Sequence, residues 1–279
     1  MILQKKYFNN LQSFIYSSPL SYQVLHINLS YKRIGDKGSS DLGSALSKCT
    51  NLSTLTLNLF TNQIGAFGAS DIGSALGKCT NLSILTLTLS ENQIGDQGLS
   101  SLGSGLSNCT NLSNLTLGLR ENQIGDQGIL GLGYGLGKCT NLSNISLYLE
   151  DNKIGTIGLS CLGSALVNCT NLQNLILNLY ANFIGDQGIS GLSPALVNCT
   201  NLTNLTLNLQ WNQIGPIGTL DLGSALQKCT NLLYLILELN EIEINQASQL
   251  IVKSKCFKSK RLVVSKIDFF NHFDINYYF

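Results

Sequence analysis

The chain has 279 residues and a formal net charge of +1; 44% of its residues are hydrophobic and 12% are charged. This length and apolar content can supply a large core, and the near-neutral charge gives no electrostatic footprint for nucleic-acid binding. No stretch approaches the ~20 apolar residues of a membrane-spanning helix. We therefore expect neither nucleic acid nor a membrane among the partners.

The first 23 residues precede a strongly repetitive region. Terminal units of a repeat array are atypical because they close its core against water. Residues 1–23 are therefore predicted to form an N-terminal cap that uses Phe14, Ile15, Tyr16 and Leu20. Residues 7–20 lack the clean apolar run of a secretory signal, so we expect no such signal.

The tetrapeptide Cys-Thr-Asn-Leu occurs seven times, and each copy begins 30 residues after the one before. The copies begin at Cys49, Cys79, Cys109, Cys139, Cys169, Cys199 and Cys229. Strict similarity at such a period is the signature of a solenoid, in which each repeat is one structural unit stacked on the next. Because no linker interrupts the period, residues 24–245 are predicted to form about eight repeats of a single domain.

One repeat is predicted to consist of a strand, a turn and a helix. Leu55, Leu57 and Leu59 occupy alternate positions, as in a strand, whereas Ile72 and Leu76 have helical spacing. Successive strands run the same way, so the sheet is parallel and each helix is the crossover between two strands. Strands lie ~4.8 Å apart and packed helices ~8–10 Å apart. We therefore expect the strands on the concave face and the helices on the convex face.

Each repeat follows the pattern L-x-x-L-x-L-x-L-x-x-N-x-I-G-D-x-G-x-x-x-L-x-x-x-L-x-x-C, which resembles the leucine-rich repeat of the ribonuclease-inhibitor type. The match is carried by Leu82, Asn92, Ile94, Gly95, Asp96, Gly98, Leu102, Leu106, Cys109 and their equivalents. The resemblance implies an α/β horseshoe, a family whose members mostly bind proteins, and a thiol-rich core that is sensitive to oxidation. The strand has one extra Leu-x pair, and two residues preserve the alternation, so Leu59 is still predicted to point inward.

Two rows of asparagine recur at the repeat period. The first row consists of Asn62, Asn92, Asn122, Asn152, Asn182 and Asn212, and the second runs from Asn51 to Asn231 within the tetrapeptides. A buried asparagine at every rung can satisfy loop backbone groups that lack partners in the sheet. Both rows are therefore predicted to be structural.

Glycine and aspartate also recur at fixed places. Gly65 and its six equivalents predict a turn with positive φ. Asp96, Asp126 and Asp186 lie where a helix needs an N-cap. Glycines inside the predicted helices cost about 1 kcal/mol each relative to alanine, and we expect them to allow adjacent helices to approach closely. They are Gly73, Gly103, Gly133, Gly163 and Gly223.

The C-terminal part departs from the regular pattern. Pro194 lies where the sixth helix of the array should be under way, which predicts a kink or a short 3₁₀ segment near Gly191–Pro194. Residues 246–279 are predicted to form a C-terminal cap and tail. They comprise a helix over 246–258, an edge strand over 262–270 and a loose tail over 276–279. Basic residues at this end discourage aggregation through the edge strand.

The cysteines indicate the cellular compartment of the protein rather than a catalytic or metal-binding role. Seven of the nine occupy the tetrapeptide row, on the apolar side of the helix end. Without a secretory signal, this row indicates buried thiols in a reducing compartment, so we expect a cytoplasmic protein. We expect no metal and no cofactor, because the chain has no C-x-x-C and only two histidines, His26 and His272.

No set of residues in the sequence predicts catalysis. The Gly-Lys-Cys-Thr segments at Gly77–Thr80 and Gly137–Thr140 superficially resemble a phosphate-binding loop. They lack its earlier glycine and fall at a helix C-terminus, whose dipole repels phosphate. The motif set of a protein kinase is also missing. We therefore predict no catalytic residue.

Function should then lie on the residues that vary between repeats, above all at the outward strand positions. Binding hot spots favour Trp, Tyr and Arg. The predicted partner-binding residues are Phe60, Arg120, Tyr148, Glu150, Tyr180, Phe183 and Trp211. The neighbouring row holds Glu91, Glu121, Asp151 and Trp211. The alternative is sequence drift on an unconstrained surface.

The leading hypothesis is a non-catalytic scaffold that binds another protein on its concave face. A second hypothesis is a GTPase-activating protein of the repeat-only kind, although similar proteins typically add an acidic tail and this tail is rich in Lys, Phe and Tyr. A third is the repeat region, or a relative, of a larger signalling enzyme such as a kinase. The fold itself does not choose among them.

Overall fold

The computed structural model describes residues 5–17, 21–240, 244, 246–256 and 261–270, in which ten strands alternate with nine helices. The strands are β1 Lys5–Phe8, β2 Val24–Asn28, β3 Thr54–Asn58, β4 Ile84–Thr88, β5 Asn114–Gly118, β6 Asn144–Tyr148, β7 Asn174–Asn178, β8 Asn204–Asn208, β9 Tyr234–Asn240 and β10 Val264–Phe270. The helices are α1 Leu11–Ile15, α2 Gly35–Leu46, α3 Ala66–Leu76, α4 Gly95–Leu106, α5 Asp126–Leu136, α6 Thr156–Leu166, α7 Gly185–Asn198, α8 Pro216–Lys228 and α9 Gln246–Cys256.

The strands form one open parallel sheet in chain order from β1 to β10. Within the repeats each residue pairs with the residue 30 positions later, as Leu55 does with Leu85. The prediction of an α/β solenoid with a parallel sheet on one side and helices on the other is confirmed.

The inward leucines of each strand are buried between the sheet and the helices. Leu55, Leu57 and Leu59 are fully buried, as are Ile72 and Leu76 from the helix of the same repeat. Leu59 follows the end of β3 but keeps the inward direction, which the parity of the extra Leu-x pair predicted. The same positions recur in every repeat, so the core is continuous along the array.

The first asparagine row forms a buried ladder that links consecutive repeats. Asn152 Oδ1 accepts the backbone N–H groups of Asn122 and Ile124 at 3.1 and 3.0 Å. Its Nδ2 donates to the carbonyl oxygens of Leu119, Leu149 and Glu150 at 3.0 to 3.1 Å. Each of these asparagines therefore satisfies backbone groups that the sheet and helices leave without partners, as predicted.

The second asparagine row also bonds to backbone, but it is not buried. Asn141 is exposed, and its Nδ2 donates to the Thr110 carbonyl at 2.9 Å. The same bond recurs from Asn81 to Thr50 and from Asn201 to Thr170. Because this row lies on the outside of the turn between helix and strand, water can replace its hydrogen bonds.

The aspartates cap the helix of the following repeat rather than their own. Asp126 Oδ1 accepts the N–H groups of Gly155 and Gly158 at 2.7 and 2.8 Å, at the start of α6. Asp36, Asp96 and Asp186 make equivalent bonds to the next helix. None of these four side chains caps its own helix. The prediction of an N-cap within the repeat was wrong, because each carboxylate lies nearer the free N–H groups of the adjacent helix.

The glycine at the start of each helix from α2 to α8 adopts one of two conformations, depending on whether the preceding repeat supplies an aspartate. Where that repeat supplies an aspartate, the glycine is extended, with φ from −93° to −111°; these are Gly65, Gly125, Gly155 and Gly215. Where it supplies none, φ is positive; these are Gly35, Gly95 and Gly185, at +57°, +56° and +62°. The prediction of positive φ was therefore wrong for the four extended glycines. Each of them donates its backbone N–H to the aspartate of the preceding repeat.

Replacing an inter-repeat cap should destabilise the array. We expect Asp126→Ala to lower the free energy of unfolding by about 1–2 kcal/mol, the usual effect of losing an N-cap. Urea denaturation followed by circular dichroism measures the change. Asp41, which is exposed on α2, provides the control, and Asp41→Ala should change stability by less than about 0.5 kcal/mol. Equal effects of the two substitutions would contradict the capping role.

Adjacent helices approach closely along rows of glycine. A Cβ built on Gly103 would lie 2.2 Å from the Gly131 carbonyl oxygen, and one on Gly105 would lie 2.0 Å from that of Gly73. Gly73 and Gly163 also face carbonyl oxygens at 2.7 and 2.5 Å, whereas contacts at Gly133 and Gly223 are 3.3 Å or longer. The predicted close approach is confirmed for most of the row.

Helix α7 runs through Pro194 without a 3₁₀ segment, so the predicted 3₁₀ segment near Gly191–Pro194 was wrong, and the alternative of a kink stays a prediction. Pro194 and Ser190, four residues earlier, are both exposed. The Ser190 carbonyl that loses its N–H partner therefore faces water, which reduces the penalty of proline in a helix. Asn198 Nδ2 donates to the Pro194 carbonyl at 2.8 Å and extends the helix.

The cysteine row is buried and contains no disulfide. Cys109 and Cys139 point their thiols toward the carbonyl oxygens of Leu76 and Leu106, both at 3.3 Å. Burial raises the pKa values of four of these thiols from 9.0 to about 12; they are Cys49, Cys79, Cys109 and Cys169. These four thiols are therefore protonated and poorly reactive in the folded state.

These pKa values predict a loss of stability at alkaline pH. A thiol that ionises at pH 9.0 when unfolded and at about 12 when folded binds its proton more tightly in the folded state. The free energy of unfolding should therefore fall as pH rises from 9 to 12, by about 1.4 kcal/mol per pH unit for each such thiol. Urea denaturation of the wild type and of Cys109→Ala should show a shallower decline in the variant. Identical slopes would exclude ionisation of Cys109 on unfolding.

The two ends of the array differ from its repeats. At the N-terminal end, β1 adds a strand that was not predicted, and Phe14 of α1 is buried, whereas Tyr16 is 85% exposed and does not join the core. At the other end, α9 and β10 form as expected. Three predicted parts lie outside the described residues: Leu20, the last two residues of the predicted helix over 246–258, and the tail over 276–279. None of the described helices is long and apolar enough to span a bilayer.

Candidate interaction surface

The outward side of the sheet, which we call the sheet face, includes the residues that directly follow each strand. Leu119 and Glu121 donate their backbone N–H groups to the carbonyl oxygens of Tyr148 and Glu150, at 2.8 and 3.1 Å. The pairing between repeats thus continues past the end of β5. Side chains after the strands therefore stay in register, one rung of ~4.8 Å apart.

Arg120 lies at the centre of a charged cluster on this face. Its Nε donates to Asp151 Oδ2 at 3.1 Å, and its Nη2 lies 2.7 Å from Glu121 Oε1. The Arg120 side chain is 52% exposed. Two carboxylates therefore neutralise one guanidinium, and the cluster remains accessible to a partner.

Glu150 lies beside this cluster in a more buried position. Its Oε1 accepts a hydrogen bond from Asn178 Nδ2 at 2.6 Å. Its Oε2 is buried and has no hydrogen-bond partner. Burial raises the pKa of Glu150; a backbone hydrogen bond and the Arg120 charge oppose this rise, and the Asp151 charge adds to it.

Two tyrosines flank Glu150. Tyr148 ends β6, in register with Gly118 on one side and Asn178 on the other. Tyr180 follows β7, and burial, then the Asp151 charge, raises the pKa of its hydroxyl. Both rings are half-buried. They place aromatic surface next to the carboxylates.

Trp211 stands at a position whose backbone is left-handed in every repeat for which the structure describes it. Its φ is +58°, and the equivalent residues from Tyr31 to Ala181 have φ between +52° and +59°. Bulky residues seldom adopt this conformation, so the turn must be fixed by the surrounding structure. Asn240 Oδ1 accepts the Trp211 N–H and holds the turn at this rung.

Two predicted residues lie apart from the others. Phe60 contacts Tyr31 edge to face, with ring centroids 5.1 Å apart, two rungs from Arg120. Phe183 is 59% exposed in the loop after the buried Asn182, and its N–H donates to the Ile154 carbonyl at 2.8 Å. The structure therefore brings together Arg120, Tyr148, Glu150 and Tyr180 on neighbouring rungs, with Trp211 on the rung after Tyr180.

Residues outside the predicted set complete the cluster. Glu121 and Asp151 pair with Arg120, and Asn178 bonds Glu150. Glu121 and Asp151 belong to the row of outward positions next to the predicted residues. Arg120 and Asp151 carry opposite charges and lie 31 residues apart, and this spacing was the signal in the sequence that could have identified the pair. Nothing in the sequence distinguished Asn178 from its equivalents. Among the described residues, no three His, Cys, Asp or Glu side chains lie close enough to hold a metal ion.

A family model described as Leucine Rich repeat matches residues 80–103 and 199–223. Each segment begins after one helix has ended, contains the following strand and covers the first part of the next helix. The two matched segments are leucine-rich repeats. The other repeats of the chain share the 30-residue period and the same buried positions, so the leucine-rich repeats extend across the array. A search of curated proteins finds no match to the chain.

Proposed function

We propose that this leucine-rich-repeat protein is a non-catalytic scaffold that binds another protein through its sheet face. The observation that carries the proposal is the grouping of Arg120, Tyr148, Glu150 and Tyr180 on neighbouring rungs, with Trp211 on the next. Arginine and large aromatic residues supply most of the energy of typical protein interfaces. The rest of the sheet face is dominated by short Thr, Ser and Asn side chains.

Further properties belong to the same proposal. The 30-residue unit with its Asn-x-Ile-Gly-Asp turn supports the ribonuclease-inhibitor-like subtype of the repeat. The buried thiol row, with its raised pKa values, supports a reducing compartment such as the cytoplasm. No contact in the described structure favours the GTPase-activating or kinase-related alternatives. Acceleration of GTP hydrolysis by a small GTPase, or nucleotide binding by the chain, would favour them.

The scaffold proposal predicts loss of partners without loss of the fold. We expect Tyr148→Ala/Tyr180→Ala/Trp211→Ala to retain the circular dichroism spectrum and to lose proteins that the wild type captures from native lysate. Each truncated hot spot should weaken binding by about 2 kcal/mol or more.

The control removes apolar surface from the helix side of the molecule. Leu130 and Tyr134 are 49% and 62% exposed on α5, and Leu130→Ala/Tyr134→Ala should retain every partner. If the triple variant also retains every partner, the sheet face is not the binding surface.

A further inference from the structure

The charge of the chain is divided unevenly between its two sides. Across the six rungs from β4 to β9, we count the described outward side chains of each strand and of the three residues that follow it. They include one guanidinium, Arg120, and no lysine; the exposed Lys153 lies just beyond them, after the buried Asn152. They include five carboxylates: Glu91, Glu121, Glu150, Asp151 and Glu238. Five negative charges against one positive leave a formal charge of −4 on this part of the sheet face. The whole chain has 17 basic and 16 acidic residues, so the compensating basic residues lie elsewhere.

The negative charges are interleaved with aromatic rings. Tyr148 and Tyr180 flank Glu150, and Trp211 continues the series on the next rung. Cationic side chains are attracted to the faces of such rings, most strongly to tryptophan. A lysine or arginine from a partner would therefore find both a carboxylate and an aromatic face within one or two rungs.

Glu150 adds an observation that does not depend on the overall charge. Its Oε2 is buried without a hydrogen-bond donor, and a carboxylate in this state is costly. The nearest cation, Arg120, is already bonded to Glu121 and Asp151. None of the described side chains around Glu150 donates a hydrogen bond to Oε2.

These observations extend the scaffold proposal, on which they rest, to the chemistry of the partner. We infer that the partner presents a segment rich in lysine and arginine to the sheet face between β4 and β9. The charge of the face also steers such a segment during encounter, which makes association sensitive to salt.

The test uses a short peptide of lysine, arginine and glycine, and a matched peptide in which glutamate replaces each basic residue. Trp211 is the single tryptophan of the chain and lies on the surface in question, so its fluorescence reports binding directly. We expect the basic peptide to change Trp211 emission saturably and to bind less tightly as salt increases. The acidic peptide should not bind.

Matched variants separate a surface-specific effect from the net charge of the protein. Glu91→Gln/Glu121→Gln should weaken binding of the basic peptide about 3- to 10-fold, the range for two exposed ion pairs. Asp41→Asn/Asp71→Asn makes the same charge change on the helices and should leave binding within about twofold, since those charges are far and screened. Equal effects of the two pairs, or binding of the acidic peptide, would overturn the inference.

The outcomes also distinguish this inference from the scaffold proposal. If the basic peptide does not bind but the triple variant of Tyr148, Tyr180 and Trp211 loses its captured proteins, the scaffold stands and the basic partner is excluded. If the triple variant retains all its partners, the scaffold proposal itself fails, whatever the peptide does.

Discussion

Asn152→Ala should destabilise the protein by about 3–5 kcal/mol, because it leaves several buried backbone groups without partners, each costing about 1–3 kcal/mol. The side chain makes five hydrogen bonds to backbone atoms of two repeats. Alanine can replace none of them, and the site is too buried for water to enter without rearrangement. Urea denaturation followed by circular dichroism measures the loss.

Two variants show whether the hydrogen bonds are responsible. Asn141→Ala removes an exposed asparagine with one bond to Thr110, and it should lower stability by about 1 kcal/mol or less. Asn152→Asp keeps the acceptor for Asn122 and Ile124 but loses the donors, so its effect should be at least as large as that of alanine, since it also buries a charge. A loss below about 1 kcal/mol for Asn152→Ala would show that water replaces the ladder.

Gly105→Ala should destabilise the protein by about 2–3 kcal/mol, the range expected for an added methyl group that cannot be accommodated. The new Cβ would lie 2.0 Å from the Gly73 carbonyl oxygen. Gly73 and Gly105 both lie within helices, so neither can rotate away from the contact without disturbing its helix. Helices α3 and α4 would have to separate. The higher helix propensity of alanine offsets only about 1 kcal/mol. Thermal unfolding should show a lower midpoint.

Gly137→Ala is the matched control for this prediction. Gly137 ends α5 with φ of −63°, and a Cβ there would have no neighbour closer than 3.4 Å. Alanine should therefore leave stability unchanged or raise it, by up to about 1 kcal/mol. If Gly105→Ala is also neutral, the helices can separate freely and their close packing adds little to stability.

The 30-residue period was sufficient to predict the fold, because the same pattern of apolar residues recurs in each repeat. The alternation of Leu55, Leu57 and Leu59 and the helical spacing of Ile72 and Leu76 determine both elements and their common core. The contacts between repeats were harder to predict. Asp126 lies at the start of its own helix in the sequence, and only the stacking distance shows that the next helix, with Gly155 and Gly158, is its partner.

The candidate surface was predictable as a set of positions but not as a set of contacts. Outward direction follows from strand parity, so Arg120, Tyr148 and Glu150 could be placed on one face. The burial of Glu150 Oε2 depends on how neighbouring side chains pack, which no periodic rule describes. Strand parity did not place Phe183, because the buried Asn182 interrupts the alternation that precedes it, and its role in binding stays a prediction.

The glycine contacts between helices also determine how far the array bends. An arc follows from the ratio of helix spacing to strand spacing, and the backbones of α3, α4 and α5 touch where side chains would otherwise separate them. Closer helices should bring the helix spacing nearer to that of the strands, and we expect this to reduce the bend over these rungs. In α7, Ser193 replaces the glycine, which leaves a groove of about 340 Å³ between α7 and α8. We therefore expect the sheet to be flatter at β3–β5 than toward Trp211, a difference in curvature that would select the shape of the surface a partner presents.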